Sequence, residues 1–367
     1  MIKPVTQSRT PASLIEQWVR PEIRALSAYH VPPPDDLIKL DAMENPYSWP
    51  PALVKEWLQA LRGVSLNRYP DPNATVLKQR LRQALDIPDA MDILLGNGSD
   101  ELIQMTNLVV AGTGRAVLTP DPTFSMYRII ATTTGLGFVG VPLDDDFDID
   151  LAATLDALQA HRPAVVYLDY PNNPSGNLFH EDRVRRVIEA APGLVVLDEA
   201  YYPYAGRSLM SELPRYDNLV VIRTLSKLGL AGLRLGLMIG PKAWLEEINK
   251  ARLPYNVSVV AQVSAEFALR NKTVLDEQAR RICADREQMI DAMRAVDNVV
   301  VYPSHANFIL FRVAHGRAAQ VYENIRSQGV LIRSFSGTEG VLGDCLRVTV
   351  GAPEENDAFI AALRRSV

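Results

Sequence analysis

One lysine stands where covalent chemistry would need it. The run TLSKLGLAGLRLG, Thr224–Gly236, follows an apolar stretch and sets Lys227 among anion-binding groups. Thr224 and Ser226 carry hydroxyls able to hold a phosphate, and Arg234 offers a guanidinium fork for the same dianion. Gly229 and Gly232 suit a loop where backbone passes close to a ligand. Such a lysine fits imine (Schiff-base) chemistry on an aldehyde that carries a phosphate. That chemistry needs an amine able to be neutral near physiological pH, on a rigid element. A Ser-Lys pair alone is far more often solvated surface, so the reading depends on its neighbours.

In LVVLDEAY, Asp198 ends an apolar run 29 residues before Lys227. A carboxylate there can keep a pyridine-type nitrogen protonated, which lets the ring draw electrons from a substrate carbon. Ligands of open α/β sheets sit at the carboxyl ends of strands, where Asp198 falls. Tyr201, three residues on, is in reach of a ring hydroxyl. The turn YPNNPSG at 170–176 follows another apolar run and places the Asn173 amide near the same oxygen. GNGSDELI at 96–103 is a glycine turn entering a helix. Its free N–H groups and Ser99 make an anion site, unless Ser99 simply caps the helix. An aldehyde, a phosphate, a protonated ring nitrogen and a ring hydroxyl together describe pyridoxal 5'-phosphate (PLP).

Short β-branched runs must position these groups: Ala116–Pro120, Ala164–Tyr170, Leu194–Ala200, Asn218–Thr224 and Leu233–Gly240. Each is too short for a helix and reads as a strand covered on both faces. Helical stretches such as His180–Ala191 separate most of them. That alternation predicts a large, doubly wound, mostly parallel-sheet α/β domain over 50–265, the cofactor-binding domain. Residues 262–296 predict one long helix or two. Strand candidates follow at Asn298–Tyr302, Asn307–Val313, Gly329–Phe335 and Cys345–Gly351, predicting a smaller α+β domain over 266–367. Residues 1–49, with VPPPDD at 31–36, carry little periodicity and are expected to form an N-terminal arm and part of the small domain.

Composition narrows the partners. Of 367 residues, 47% are hydrophobic and 22% charged, as in an ordinary soluble globular protein. The formal net charge of -5 argues against nucleic acid or an anionic membrane as the main partner. Cys283 and Cys345 form no CxxC pair and the five histidines show no metal-binding spacing, so neither disulfide framework nor metal is expected. The N-terminus lacks the apolar core of a signal peptide, and no apolar run is long enough to span a membrane. The expected compartment is the cytoplasm.

The order and approximate spacing of these motifs resemble the fold type I PLP-dependent aminotransferases. LDAMENPY (Leu40–Tyr47), NRYPDP (Asn67–Pro72), PDPTFSMY (Pro120–Tyr127) and LRVTVG (Leu346–Gly351) are similar to the class II histidinol-phosphate aminotransferase family, along nearly the whole chain. The resemblance implies a homodimer with a shared active site. It also implies transamination between L-histidinol phosphate and 2-oxoglutarate, giving imidazole-acetol phosphate and L-glutamate, run toward histidinol phosphate in histidine biosynthesis. On that resemblance Lys227 is the Schiff-base lysine, Asp198 the partner of the ring nitrogen, and Asn173 and Tyr201 the ligands of the ring oxygen. Phe124 stacks on the ring. Gly98, Ser99, Asp100, Thr224, Ser226 and Arg234 form the phosphate cup, and Tyr69 reaches that cup from the neighbouring subunit. Arg347 takes the substrate carboxylate, and Arg333 takes the substrate phosphate or the distal carboxylate of glutamate. Tyr29 and Asn45 match N-terminal pocket positions.

Asp41 and Met43 depart from the family's LNANENP-like string, which bears on the substrate pocket rather than the cofactor. The segment between Lys227 and Arg234 is one residue shorter than in many family members. An aromatic amino-acid aminotransferase and a threonine-phosphate-type PLP decarboxylase share this cofactor cradle. A non-catalytic module on the same fold is the alternative from outside enzymology.

Overall fold

Aliphatic runs with both faces covered fold as strands whose residues feed two cores by turns. The computed structural model describes residues 10–28, 36–338 and 340–367. Along the described chain the strands are β1 (Ile38–Lys39), β2 (Asp92–Gly96), β3 (Ala116–Asp121), β4 (Gly137–Pro142), β5 (Val165–Asp169), β6 (Leu194–Asp198) and β7 (Leu219–Thr224). They continue as β8 (Gly236–Gly240), β9 (Val300–Val301), β10 (Phe308–Arg312), β11 (Val330–Leu331), β12 (Arg333–Ser334) and β13 (Cys345–Thr349).

Seven strands make the main sheet in the order β2-β8-β7-β6-β5-β3-β4. From β4 across to β7 the pairing is parallel, and β8 runs against both of its neighbours. Val195 and Leu197 of β6 and Val221 of β7 join one core, while Leu194, Val196, Val220 and Ile222 join the core on the opposite face. Every residue of β5, β6 and β7 is buried, so the period of two is invisible in their sequence, as expected for strands covered on both sides.

All five strand runs read from the sequence are present; β3 runs one residue further, to Asp121, and the other four are trimmed at their ends. Leu233–Gly240 shortens to Gly236–Gly240 because Ala231–Leu233 forms a 3-10 turn and Arg234 takes a left-handed conformation, φ 49°. Two strands carried too little signal to be read: β2 and β4, at the two edges of the sheet. β4, GFVGVP, holds two glycines and is largely solvent-facing. The helix expected at 180–191 spans Glu181–Ala190. Residues 262–296 resolve into two helices, Val259–Arg270 and Lys272–Arg294, that break at Asn271.

The four-stranded sheet β12-β13-β10-β9 is antiparallel. It shares a third core with the helices Lys272–Arg294, Ala318–Ser327 and Pro353–Ser366, built around Phe308, Phe311 and Phe359. The expected single strand at 329–335 is in fact two. β11 pairs in parallel with β1, and β12 pairs with β13. The N-terminal segment thus adds its strand to the C-terminal part of the chain, with Leu40 in the third core. No helix among the described residues is long and apolar enough to cross a membrane.

Candidate active site

The parallel strands β5, β6 and β7 end at the same edge of the sheet in Asp169, Asp198 and Thr224. The loops beyond them enclose a cavity of about 110 Å³. Ser99, Asp100, Phe124, Asn173, Asp198, Tyr201, Thr224, Ser226, Lys227 and Arg234, scattered over more than a third of the chain, all line it. Met43, Asp169 and Ala200 complete the wall.

Lys227 lies in a single wide turn, Ser226–Leu230, directly after β7. Gly229 permits that turn: its φ is 105°, and a Cβ there would stand 2.7 Å from Asn45 Nδ2. The Lys227 amine donates to the Ala42 carbonyl at 3.1 Å. Burial and then the Arg347 charge lower its pKa to about 8, against the opposing pull of Glu44 and Asp100. The lowered pKa enlarges the neutral fraction of the amine near physiological pH, as a nucleophile and proton carrier requires, while the charged form still predominates below about 8.

Asp198 is 2% exposed. Its Oδ2 accepts from the Tyr127 hydroxyl and its Oδ1 from the Ala200 N–H, both at 3.0 Å. Burial pushes its carboxyl well above the usual range, more than the Tyr127 bond lowers it. It makes no ion pair with any described residue, so a protonated ring nitrogen is the partner this carboxylate lacks. Phe124 closes the cavity beside it, edge-on to Tyr127 at 5.5 Å. Asn173 Nδ2 donates to the Tyr201 hydroxyl at 3.1 Å, which places both groups at one point.

The anion cup is made by close backbone approach. Gly98, φ 92°, precedes the helix Ser99–Val110 and takes its N-cap position, and no side chain caps that end. Ser99 is the first helical residue, so the reading of Ser99 as the cap does not hold. A Cβ on Gly236 would meet the Gly98–Ser99 peptide at 2.6 Å, and one on Gly98 would meet Arg234 Nη2 at 2.7 Å. Arg234 is held only loosely, 3.4 Å from Ser226 Oγ and 3.8 Å from an Asp100 oxygen. Thr224 Oγ1 lies 3.0 Å from Ser226 Oγ. Free helix N–H groups, two hydroxyls and an available guanidinium suit a phosphate dianion. With the unpaired Asp198 and the Lys227 amine whose pKa burial lowers to about 8, this cradle fits pyridoxal 5'-phosphate.

Arg347 of β13, 7% exposed, reaches the cavity through its bond to Asn173. It bonds Asn173 Oδ1 through Nη1 and donates to the Asp41 carbonyl at 3.1 Å through Nη2. Arg333 of β12 is its cross-strand partner, so the two side chains leave the sheet on one face, but Arg333 is exposed where Arg347 is buried, and neither is among the residues lining the cavity. Asn45 is not among the residues lining the cavity. Its amide donates to Gln278 Oε1 at 3.0 Å and accepts from the Tyr47 N–H at 2.9 Å, bracing the turn at Gly229. Tyr69 is 79% exposed, stacked on Tyr255 at 4.4 Å, and stands outside the cavity of its own chain. Tyr29 lies outside the described residues. Sequence reasoning overlooked Tyr127 and Asp169. Tyr127 stands one helical turn from Phe124 in PDPTFSMY, and Asp169 ends an apolar run in the same way as Asp198.

The family model described as aminotransferase class I and II matches residues 35–363. A protein of Nitrosococcus oceani named histidinol-phosphate aminotransferase 2 is 56% identical over 350 residues, covering 95% of this chain and 97% of the relative. One of the same name from Cupriavidus pinatubonensis is 49% identical over 360 residues, 97% and 98% of the two chains. Among solved structures, the histidinol-phosphate aminotransferase of Sinorhizobium meliloti in complex with pyridoxal-5'-phosphate superposes with a TM-score of 0.85 at 26% identity, over 99% of this chain and 98% of that one. The chain belongs to the class I and II aminotransferases and, within them, to the histidinol-phosphate aminotransferase family.

Proposed function

We propose that this enzyme transfers an amino group between L-histidinol phosphate and 2-oxoglutarate, with PLP as cofactor, in cytoplasmic histidine biosynthesis. The observation that carries the reading is the buried Arg347, bonded to Asn173 of the cavity that holds Lys227, with the exposed Arg333 as its cross-strand partner on β12. One pocket must take a phosphate monoester and a dicarboxylate in turn, and two guanidiniums on one face suit both.

When bound, PLP supplies an aldehyde for imine exchange and a protonated ring that draws electrons from the substrate Cα. With the cofactor bound, Lys227 Nζ would hold it through its aldehyde carbon and, once displaced by the substrate amine, would carry the proton from the substrate Cα to that carbon. Asp198 keeps the ring nitrogen protonated, and the Tyr127 hydroxyl keeps Asp198 in place. Asn173 and Tyr201 hold the ring oxygen, and Phe124 covers the ring face. Gly98, Ser99, Asp100, Thr224, Ser226 and Arg234 anchor the phosphate. Arg347 orients the substrate carboxylate or its equivalent end, while Arg333 takes the distal anion. Asn45 and Tyr29 belong to the N-terminal wall of the same pocket. The large PLP-binding domain of this reading is 50–265 and the small domain 266–367, completed by the N-terminal arm. Tyr69 completes the phosphate cup of a partner subunit, so the working enzyme is a homodimer.

A half-reaction titration tests the substrate. The PLP-loaded protein is mixed with L-histidinol phosphate or with L-phenylalanine, and conversion of the cofactor absorbance to its amino form is followed. Conversion at far lower concentrations of histidinol phosphate is expected. A preference for phenylalanine would move the function to aromatic transamination, and no spectral change with either would remove the transaminase reading.

A further inference from the structure

Two buried carboxyls stand side by side in the cavity, and the chemistry above uses one of them. Asp169 ends β5 as Asp198 ends β6, and the two are cross-strand Cα partners. Their side chains therefore leave the sheet on the same face, from strands about 4.8 Å apart. Exposures are 3% and 2%, and both line the cavity. Their hydrogen bonds differ. Asp198 accepts from Tyr127 and Ala200, whereas Asp169 Oδ2 accepts from the Asn173 N–H at 3.0 Å. Asn173 is thereby committed in three directions: its N–H to Asp169, its Nδ2 to Tyr201 and its Oδ1 to Arg347.

We propose that Asp169 is a positioning residue, which fixes the Asn173 turn and through it sets both the ring-oxygen group and the substrate-carboxylate arginine. This rests on the roles of Asn173 and Arg347 proposed above. A free Asn173 side chain would swing with its loop, and Arg347 would lose one of the acceptors that aim it.

The charge state of Asp169 follows from what faces it. Asp198 stands beside it on β6, Arg347 comes from β13, Tyr127 from the helix Met126–Thr134, Tyr201 from the turn after β6, and Asn173 from its own loop. Burial first and the Asp198 charge second push its carboxyl well above the ordinary range, against the Asn173 N–H and Arg347. Buried like charges so close do not both ionise. Asp198 has two donors and the ring nitrogen to pair with, so Asp198 carries the charge and Asp169 the proton. An asparagine at 169 thus keeps the accepting oxygen and the neutral charge, while an alanine removes the anchor.

The test compares wild type, Asp169→Asn and Asp169→Ala. Equilibrium dialysis gives the PLP dissociation constant of each cofactor-free protein, and half-reactions with L-glutamate separate KM from kcat. Asp169→Asn is expected within about twofold of wild type in all three quantities, and Asp169→Ala to raise the KM for glutamate and the PLP dissociation constant about tenfold each, with kcat changed less. Thermal unfolding of cofactor-free Asp169→Asn at the wild-type temperature shows that the fold survives the change. Wild-type KM and PLP binding in Asp169→Ala would overturn the proposal. So would an Asn variant as damaged as the Ala variant, since negative charge would then be the working property of Asp169. Failure of wild type to bind PLP would remove the cofactor reading and this inference together, an outcome distinct from either variant result.

Discussion

Lys227 and Asp198 experience the same burial with opposite consequences. Removal from water moves the amine down to about 8 and the acid upward, so both drift toward neutrality before any cofactor arrives. For Lys227 this has a measurable cost to the cofactor-free fold. Its folded pKa lies below its unfolded value of 10.5, so the unfolded state binds more protons between about 8 and 10.5 and stability rises with pH across that window. Below about 8 the penalty is present in full. Lys227→Met should therefore raise the unfolding temperature of the cofactor-free protein at neutral pH, and the advantage should shrink as pH climbs toward 10.5. A gain independent of pH, in a calorimetric series, would show that burial does not lower the Lys227 pKa. At this scale the sequence was most readable where short-range context identifies a residue. Hydroxyls and glycines around Lys227, and an acid closing an apolar run at Asp198, are local signals. Tyr127 and Asp169 were missed because each acts only through a neighbour that folding brings to it, Tyr127 across 71 residues to Asp198.

β6 and β7 are tied together one residue beyond the catalytic acid. Glu199, fully buried, accepts from Arg223 Nη2 at 2.8 Å and from Nε at 3.0 Å, and Arg223 lies under the Tyr202 ring at 4.3 Å. Ser208 and the Leu209 N–H fill the other carboxylate positions. This pair joins the residue after Asp198 to the residue before Thr224, so it fixes the spacing between the ring-nitrogen and phosphate ends of the cradle. Arg223→Ala leaves a buried, unpaired Glu199 and should cost about 3–5 kcal/mol of stability, read by denaturant unfolding of the cofactor-free protein. Replacing both partners by methionine should recover part of that loss, because no bare charge then remains. A cost below about 1 kcal/mol for the single variant would mean that water reaches the pair. Elements of this central kind were legible because continuous Val, Leu and Ile runs have few other ways to fold. The edge strands β2 and β4 were not: β4 is half-exposed and carries two glycines, so it lacks both the continuous and the alternating pattern, and β2, though buried, is a short run of three aliphatics between Asp92 and Gly96. The run 329–335 was legible as strand but not as two strands, because Ile332 sits at the point where pairing changes from β1 to β13 and no residue type marks that change.

Tyr69, exposed on Tyr255, connects the single chain to the proposed dimer. If each phosphate cup borrows the partner's Tyr69, two crippled chains should repair each other. Lys227→Ala chains and Tyr69→Ala chains, coexpressed with different tags and purified as the mixed species, should regain turnover at one site of the pair, built from an intact lysine and an intact tyrosine on opposite chains. Mixed species no more active than Tyr69→Ala alone would place Tyr69 outside the site. The division into a large and a small sheet could be read from the change of pattern after residue 265, but the course of the first residues could not, because β1 is two residues long and means nothing until it meets β11. That meeting sets an order of assembly during synthesis. Every strand of the main sheet has been made once Gly240 emerges, so the phosphate cup, Asp198 and Lys227 can be in place early. The carbonyls of Asp41 and Ala42, which steady Arg347 and Lys227, follow a strand that waits for residues 330–331. Along the nascent chain the cup residues, Asp198 and Lys227 are thus made well before Arg333 and Arg347, and the groups that read the substrate are the last part of the site to be synthesised.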